Sequence, residues 1–310
     1  MAKKSSFQIY LEYIPVRTVF AVFGLLPRKF AVGFWMRFAA IVFTIFGGKW
    51  RRVGLRNLEI AFPEKSVDER REILDASIRN LGRIAGEMTQ FSKATRETLA
   101  KIVDITRDDS KASYFFEQHE RGRGTIITGA HFGNWEIGIL GMSAIHIPIH
   151  FLARPLDNPL IEDYFVRLRA RFGNRAIDKN NFVEASAAVL RDGGFLGVMP
   201  DVNMNPRFGV FVPFFSELAC TTTGVAMLAM RTNAMIVPTC CVWLEDRKQY
   251  ATFYGDFIEP QMASGRRDEI KRLTAAFTKA TEDFIRQYPE QYFWLHRRWK
   301  TRPEGEAPLY

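Results

Sequence analysis

From about residue 101 onward, short apolar runs alternate with stretches of helical periodicity. No other feature of the chain restricts its fold as much. The strand-like runs are 125–130, 148–153, 195–199, 235–242 and 251–257. Helical stretches lie between them near 134–145, 159–172, 181–191 and 222–231, and a last helix is expected over 266–287. Parallel strands need a crossover long enough to hold a helix, so this order predicts an α/β fold with a mixed, largely parallel sheet flanked by helices. Local signals agree with these boundaries. Asn158-Pro159 is a cap followed by proline at the first helical position. Gly193-Gly194 ends a helix, and Ile270, Leu273, Phe277 and Phe284 share one face of the last helix.

The first hundred residues read differently. Phe7, Phe20, Phe23, Phe30, Phe34, Phe38, Phe43 and Phe46 crowd the first fifty. The apolar runs 18–27 and 38–48 are each about half of the ~20 residues a spanning helix needs. Arg17, Arg28, Lys29, Arg37 and Lys49 interrupt or flank them. Residues 1–50 are therefore expected to form amphipathic helices lying in a membrane interface, with Phe and Trp inward and Arg and Lys at the headgroups. A single tilted anchor and a buried helical layer are the alternatives. Glu12 and Arg17 break the core that a signal peptide would need. Residues 51–100 read as a helical connection opened by the capping box Ser66-Val67-Asp68-Glu69. Residues 101–310 form the α/β domain.

With 43 Lys and Arg against 34 Asp and Glu, the chain carries a net charge of +9, which favours an acidic partner. The three cysteines, Cys220, Cys240 and Cys241, have neither disulfide-framework nor metal-site spacing. His146 and His150, with Pro148 between them and no nearby carboxylate, make a poor metal site. There is no Gly-x-Ser-x-Gly elbow, no phosphate loop and no complete dinucleotide fingerprint.

The chemistry concentrates in His131-Phe132-Gly133-Asn134-Trp135-Glu136. A histidine and a carboxylate here meet at a strand-to-helix turn, where sites in open α/β sheets lie. Five positions apart on a regular helix, the two side chains would diverge by about 140°. With His131 in the turn and Glu136 in the first helical turn, the carboxylate can reach back to the imidazole and make a general base. A structural histidine is the plainer alternative. Gly133 would let backbone approach a ligand, and neighbouring N–H groups at the helix start would face a developing oxyanion.

Other polar groups end strand-like runs. Arg154 would bind phosphate or steady a negative intermediate; otherwise it is a surface partner of Asp157. Asp201 would orient substrate or a loop; otherwise it caps a turn. The run Phe211–Phe215 is either core or the wall of an acyl groove. In the tail 292–302, basic and aromatic residues interleave, and Arg297 and Arg298 suit a headgroup surface or nucleic acid.

Taken in order, Arg56-Asn57-Leu58 with Phe62-Pro63-Glu64, the His131–Glu136 hexapeptide, Arg154-Pro155 with Asn158-Pro159, Pro200-Asp201, the run 209–215 and the tail 294–303 resemble the bacterial acyltransferases that finish lipid A, within the glycerolipid acyltransferase superfamily. The segment Ser216 to Cys220 departs from that pattern, because a glycine commonly follows the Phe-Phe pair.

The resemblance implies transfer of a fatty acyl chain from an acyl thioester to a hydroxyl of a membrane glycolipid, most simply a lipid A precursor. The thioester would be carried on acyl carrier protein or coenzyme A, with no other cofactor and no metal. It implies His131 as general base, Glu136 orienting it, and substrate contacts at Gly133, Asn134, Arg154, Asp201, Arg297 and Arg298. It places the protein on the cytoplasmic face of the bacterial inner membrane, with anionic lipid and no nucleic acid as partner. Another glycolipid acceptor, a thioesterase using the same pair, and a non-enzymatic basic membrane-surface protein are the competing readings.

Overall fold

The computed structural model describes residues 4–106, 109–152, 156–177, 181–261 and 265–310. Four helices come first: α1 (Ser6–Leu25), α2 (Arg28–Ile45), α3 (Gly48–Ala61) and α4 (Val67–Met88). The capping box that opens α4 is formed: Glu69 N donates to Ser66 Oγ at 3.2 Å and Ser66 N to Glu69 Oε2 at 2.7 Å. There follow α5 (Arg96–Ile102), β1 (Val103–Asp104), α6 (Asp109–Glu120), β2 (Thr125–Thr128), α7 (Trp135–Ala144), β3 (Ile149–Phe151), α8 (Pro159–Arg169), β4 (Arg175–Ala176), α9 (Phe182–Arg191) and β5 (Phe195–Val198). A hairpin, β6 (Gly209–Phe214) and β7 (Glu217–Thr222), precedes α10 (Gly224–Thr232), β8 (Met235–Leu244), β9 (Gln249–Tyr254) and α11 (Arg266–Gln287).

Seven strands form one sheet in the order β1-β9-β8-β2-β5-β3-β4. Every neighbouring pair is parallel except β8 with β9. Helices cover both faces. Adjacent residues of β2 show this, since side chains alternate along a strand. Ile127 packs with Phe115, Ile137 and Leu140 of α6 and α7. Ile126 packs with Leu190, Val225 and Phe277 of α9, α10 and α11. The mixed, largely parallel α/β architecture is thus as the alternation requires. Two short edge strands, β1 and β4, carry no sequence signal. The run 209–215 is a strand of the separate hairpin, and Val212 and Phe214 are buried in the core.

The N-terminal layer combines tight docking with outward apolar surface. Gly82 and Gly86 on α4 let α2 approach closely: a Cβ at Gly82 would lie 2.3 Å from Trp35 O, and one at Gly86 would lie 2.7 Å from Val32 Cα. Arg28 does not face headgroups as its flanking position suggests. It makes a bidentate pair with the buried Glu87 of α4. Phe20 of α1 packs edge-on against Tyr164 and Phe165 of α8. Many other apolar side chains point outward, among them Phe7, Leu25 (86% exposed), Phe30, Phe38, Ile45 and Phe46. Among the described residues no single helix is long and apolar enough to cross a membrane, although α2 and α3, bent by 97°, reach that length together.

Candidate active site

Parallel register creates the site. β2 and β5 are hydrogen-bonded neighbours in which Thr125 faces Phe195 and Thr128 faces Val198, an offset of seventy residues. The pairing continues past the strands, with Gly129 N donating to Val198 O at 2.9 Å. Three residues on, the same offset sets His131 against Asp201. The Asp201 carboxylate holds the histidine twice: Oδ2 accepts from His131 N and Oδ1 pairs with Nδ1, each at 2.9 Å.

The electrostatics follow from burial and this contact. Burial by itself would raise the Asp201 pKa, but the His131 ring and amide, with His296 nearby, bring it down to about 2. An ionised carboxylate only accepts, so Nδ1 carries the proton and Nε2 is left as the basic atom. For His131, burial pulls the pKa down, yet the charge and hydrogen bond of Asp201, helped by the charge of Glu136, raise it above the ordinary imidazole value. The Trp135 ring stands edge-on to the imidazole at 5.1 Å.

Glu136 is in the first turn of α7, as the motif requires, but its carboxylate turns away from His131. It accepts from Arg169 at the end of α8, from Nε at 2.8 Å and from Nη2 at 2.6 Å. The contact expected of Glu136 is made by Asp201. Glu136 acts on the imidazole through its charge. Arg169 carries no motif that would single it out in the sequence.

The other expected contacts need correction where their polar groups are spent. Gly133 has φ +63°, and a Cβ there would sit 2.0 Å from Cys241 O, so the turn admits only glycine. Its N–H donates to Gln291 O at 3.0 Å, and that of Asn134 donates to Cys241 O at 2.7 Å. These two amides are not open to an oxyanion. The Asn134 side chain caps α7 by accepting from Ile137 N, and it donates to the Tyr250 hydroxyl. Arg298 is buried, donating to Val202 O, Cys220 O and Thr221 Oγ1, so it ties the loop after β5 to β7 and is not available to a substrate. Arg297 is exposed and lies over the Tyr310 ring at 5.6 Å. Arg154 lies outside the described residues.

A cavity of about 420 Å³ opens beside the pair, within the size range of small-molecule sites. Ile139 and Met142 of α7, Phe151 of β3, Val198 of β5 and Cys241 of β8 make its walls apolar. His131, Glu136 and Arg169 line the same cavity. Phe211 to Phe215 do not line it; the hairpin packs elsewhere. A buried carboxylate–imidazole pair, a guanidinium–carboxylate pair and an apolar chamber suit proton transfer on an amphiphilic substrate.

Comparison with known proteins agrees with this chemistry. The model of the family described as "Bacterial lipid A biosynthesis acyltransferase" matches residues 2–301. The chain is similar to the lipid A biosynthesis lauroyltransferase of Escherichia coli K12, 32% identical over 82% of this chain and 80% of the relative. It is similar to the palmitoleoyltransferase of the same organism at 31%, over 83% and 81% of the two chains, and to the myristoyltransferase at 24%, over 85% and 79%. The chain belongs to the bacterial lipid A biosynthesis acyltransferases, a family of enzymes that transfer acyl groups.

Proposed function

We propose that this protein transfers a fatty acyl chain from an acyl thioester to a hydroxyl of a lipid A precursor, with His131 as general base. The observation that carries this reading is the His131–Asp201 pair beside an apolar cavity. Nε2 of His131 takes the proton of the acceptor hydroxyl as its oxygen attacks the thioester carbonyl. Asp201 holds the tautomer and balances the imidazolium that forms. When the tetrahedral intermediate collapses, the carbon–sulfur bond breaks and the imidazolium returns its proton to the departing thiolate. No acyl-enzyme is needed. Arg169, oriented by Glu136, places a positive charge in the cavity where the carbonyl oxygen becomes negative. The acyl chain occupies the apolar chamber.

The net charge of +9 favours an acidic donor, acyl carrier protein or coenzyme A, and an acceptor bearing phosphates. The outward apolar side chains of α1 and α2 suit a monotopic attachment at the cytoplasmic face of the inner membrane. Leu25→Asp combined with Phe46→Asp then weakens binding to anionic vesicles while leaving the core intact.

The deciding experiment is turnover of purified His131→Ala with an acyl thioester and a lipid A precursor, read by mass spectrometry of the lipid. Loss of about 10²–10⁴-fold is expected; near-normal turnover overturns the general-base role. Free fatty acid in place of acylated lipid would identify a thioesterase.

A further inference from the structure

The segment after α11 contains little regular structure, yet it touches both members of the His131–Asp201 pair. Phe293 N donates to His131 O at 2.9 Å. Three residues later, His296 sets Nε2 3.2 Å from the Asp201 carbonyl oxygen and Nδ1 3.1 Å from Phe293 O. Beyond it the grip on the same loop continues. Arg298 donates to Val202 O at 3.3 Å, Thr301 N donates to Asn203 Oδ1 at 2.8 Å, and Asn203 Nδ2 donates to Thr301 Oγ1 at 3.0 Å. The segment is itself anchored, since Asn57 of α3 donates to Trp294 O and His296 O, and Trp294 and Trp299 are fully buried.

Asp201 sits just beyond β5 in a loop with no helix or strand of its own. Its carboxylate must keep two hydrogen bonds to His131, and these depend on how its backbone is oriented. We infer that His296 is a positioning residue for His131: by holding the Asp201 backbone carbonyl, it fixes the carboxylate that orients the imidazole. The tail thereby registers the two halves of the pair, one through Phe293 and the other through His296. This rests on the general-base reading of His131.

The two ring nitrogens of His296 supply the test. Burial holds this imidazole below its ordinary pKa, so it is neutral and donates from one nitrogen only. His296→Gln keeps a donor near the Nε2 position, within reach of Asp201 O. His296→Asn keeps one near Nδ1, against Phe293 O. The groups whose charge acts on His131 are Asp201 from the β5 loop and Glu136 from α7, while Asp201 in turn acts on His296, Tyr292 and Arg298 of the tail.

The measurement is kcat and KM of the full chain in vesicles across the histidine titration range, with a thermal melt of each variant. His296→Asn is expected to lower kcat about 10–100-fold, as loss of an outer-shell partner does to a histidine at a metal site. KM for the thioester stays the same, and the acid limb moves to lower pH because the imidazole has lost part of its carboxylate contact. His296→Gln restores both. A wild-type acid limb in His296→Asn, or equal rescue by Asn and Gln, overturns the inference. Should His296→Asn not fold, Thr301→Val, which removes the acceptor for Asn203, must shift the limb in the same direction. An unshifted limb there also overturns the inference. His131→Ala in parallel separates the two failures. Retained turnover in that variant ends the general-base reading itself. An inactive His131→Ala with unshifted His296 variants ends only the role of His296.

Discussion

The turn after β2 and the turn after β5 meet at one place but are built on different terms. The first is short and mostly local: Asn134 caps the helix that follows, Gly133 supplies the positive φ, and its amides go to Gln291 O and to Cys241 O of β8. The second has no helix of its own and is held from outside by the C-terminal segment. Each contributes a carboxylate. Glu136, five residues from His131, turns toward Arg169; Asp201, seventy residues away, holds the imidazole. Contact across a parallel sheet follows strand register, and closeness along the chain does not predict it.

The sharpest way to break this comparison is Asp201→Asn. If Asp201 orients His131, turnover falls about 10²–10⁴-fold, as when the orienting carboxylate of a catalytic histidine becomes an amide. A general base must be neutral, so activity rises with pH through the imidazole pKa, which Asp201 holds above its ordinary value. Losing that charge moves the acid limb of kcat/KM to lower pH. An unmoved limb returns the role to Glu136.

Glu136→Gln is the reciprocal change. It releases Arg169 from a partly buried pair, and turnover falls about 10–100-fold with a smaller shift of the acid limb than in Asp201→Asn. Loss of a charge-assisted pair of this kind costs about 1.5–3 kcal/mol, visible as a lower Tm. A larger limb shift than that of Asp201→Asn would reverse the assignment.

Gly133→Ala probes the local turn alone. With φ +63° and Cys241 O 2.0 Å from the added Cβ, it costs about 1–3 kcal/mol or more, read by thermal unfolding. An unchanged Tm would mean that the turn is not pinned against β8. At the far end of the scale, Arg297→Ala touches neither turn. Its effect is expected within about 0.5 kcal/mol in stability, with turnover close to wild type. A large loss there would show that the tail contacts substrate directly.

Much of this was legible in advance because it is local or periodic. The apolar runs and helix signals placed β2, β3, β5, β8 and the helices between them, and Asn158 and Ser66 cap their helices as their spacing requires. The hexapeptide marked His131 because a strand-to-helix turn is written in adjacent residues. The partner of Glu136 was not legible. Arg169 is an ordinary arginine in the last turn of a helix, and only the packing of α8 against α7 brings it there. Arg298 misled for the opposite reason: a basic residue in a basic, aromatic tail looks exposed, while its guanidinium is buried against one loop acceptor and two on β7.

By itself the sequence determined the α/β class, the family resemblance, the location of the His131 turn and the aromatic N-terminal helices, because these depend on spacing and residue type. The tertiary structure alone decided which carboxylate serves His131, which cation joins the cavity, and that the tail braces Asp201. Those contacts arise where strand register and helix packing bring distant segments together, and no local pattern in a single chain encodes the pairing.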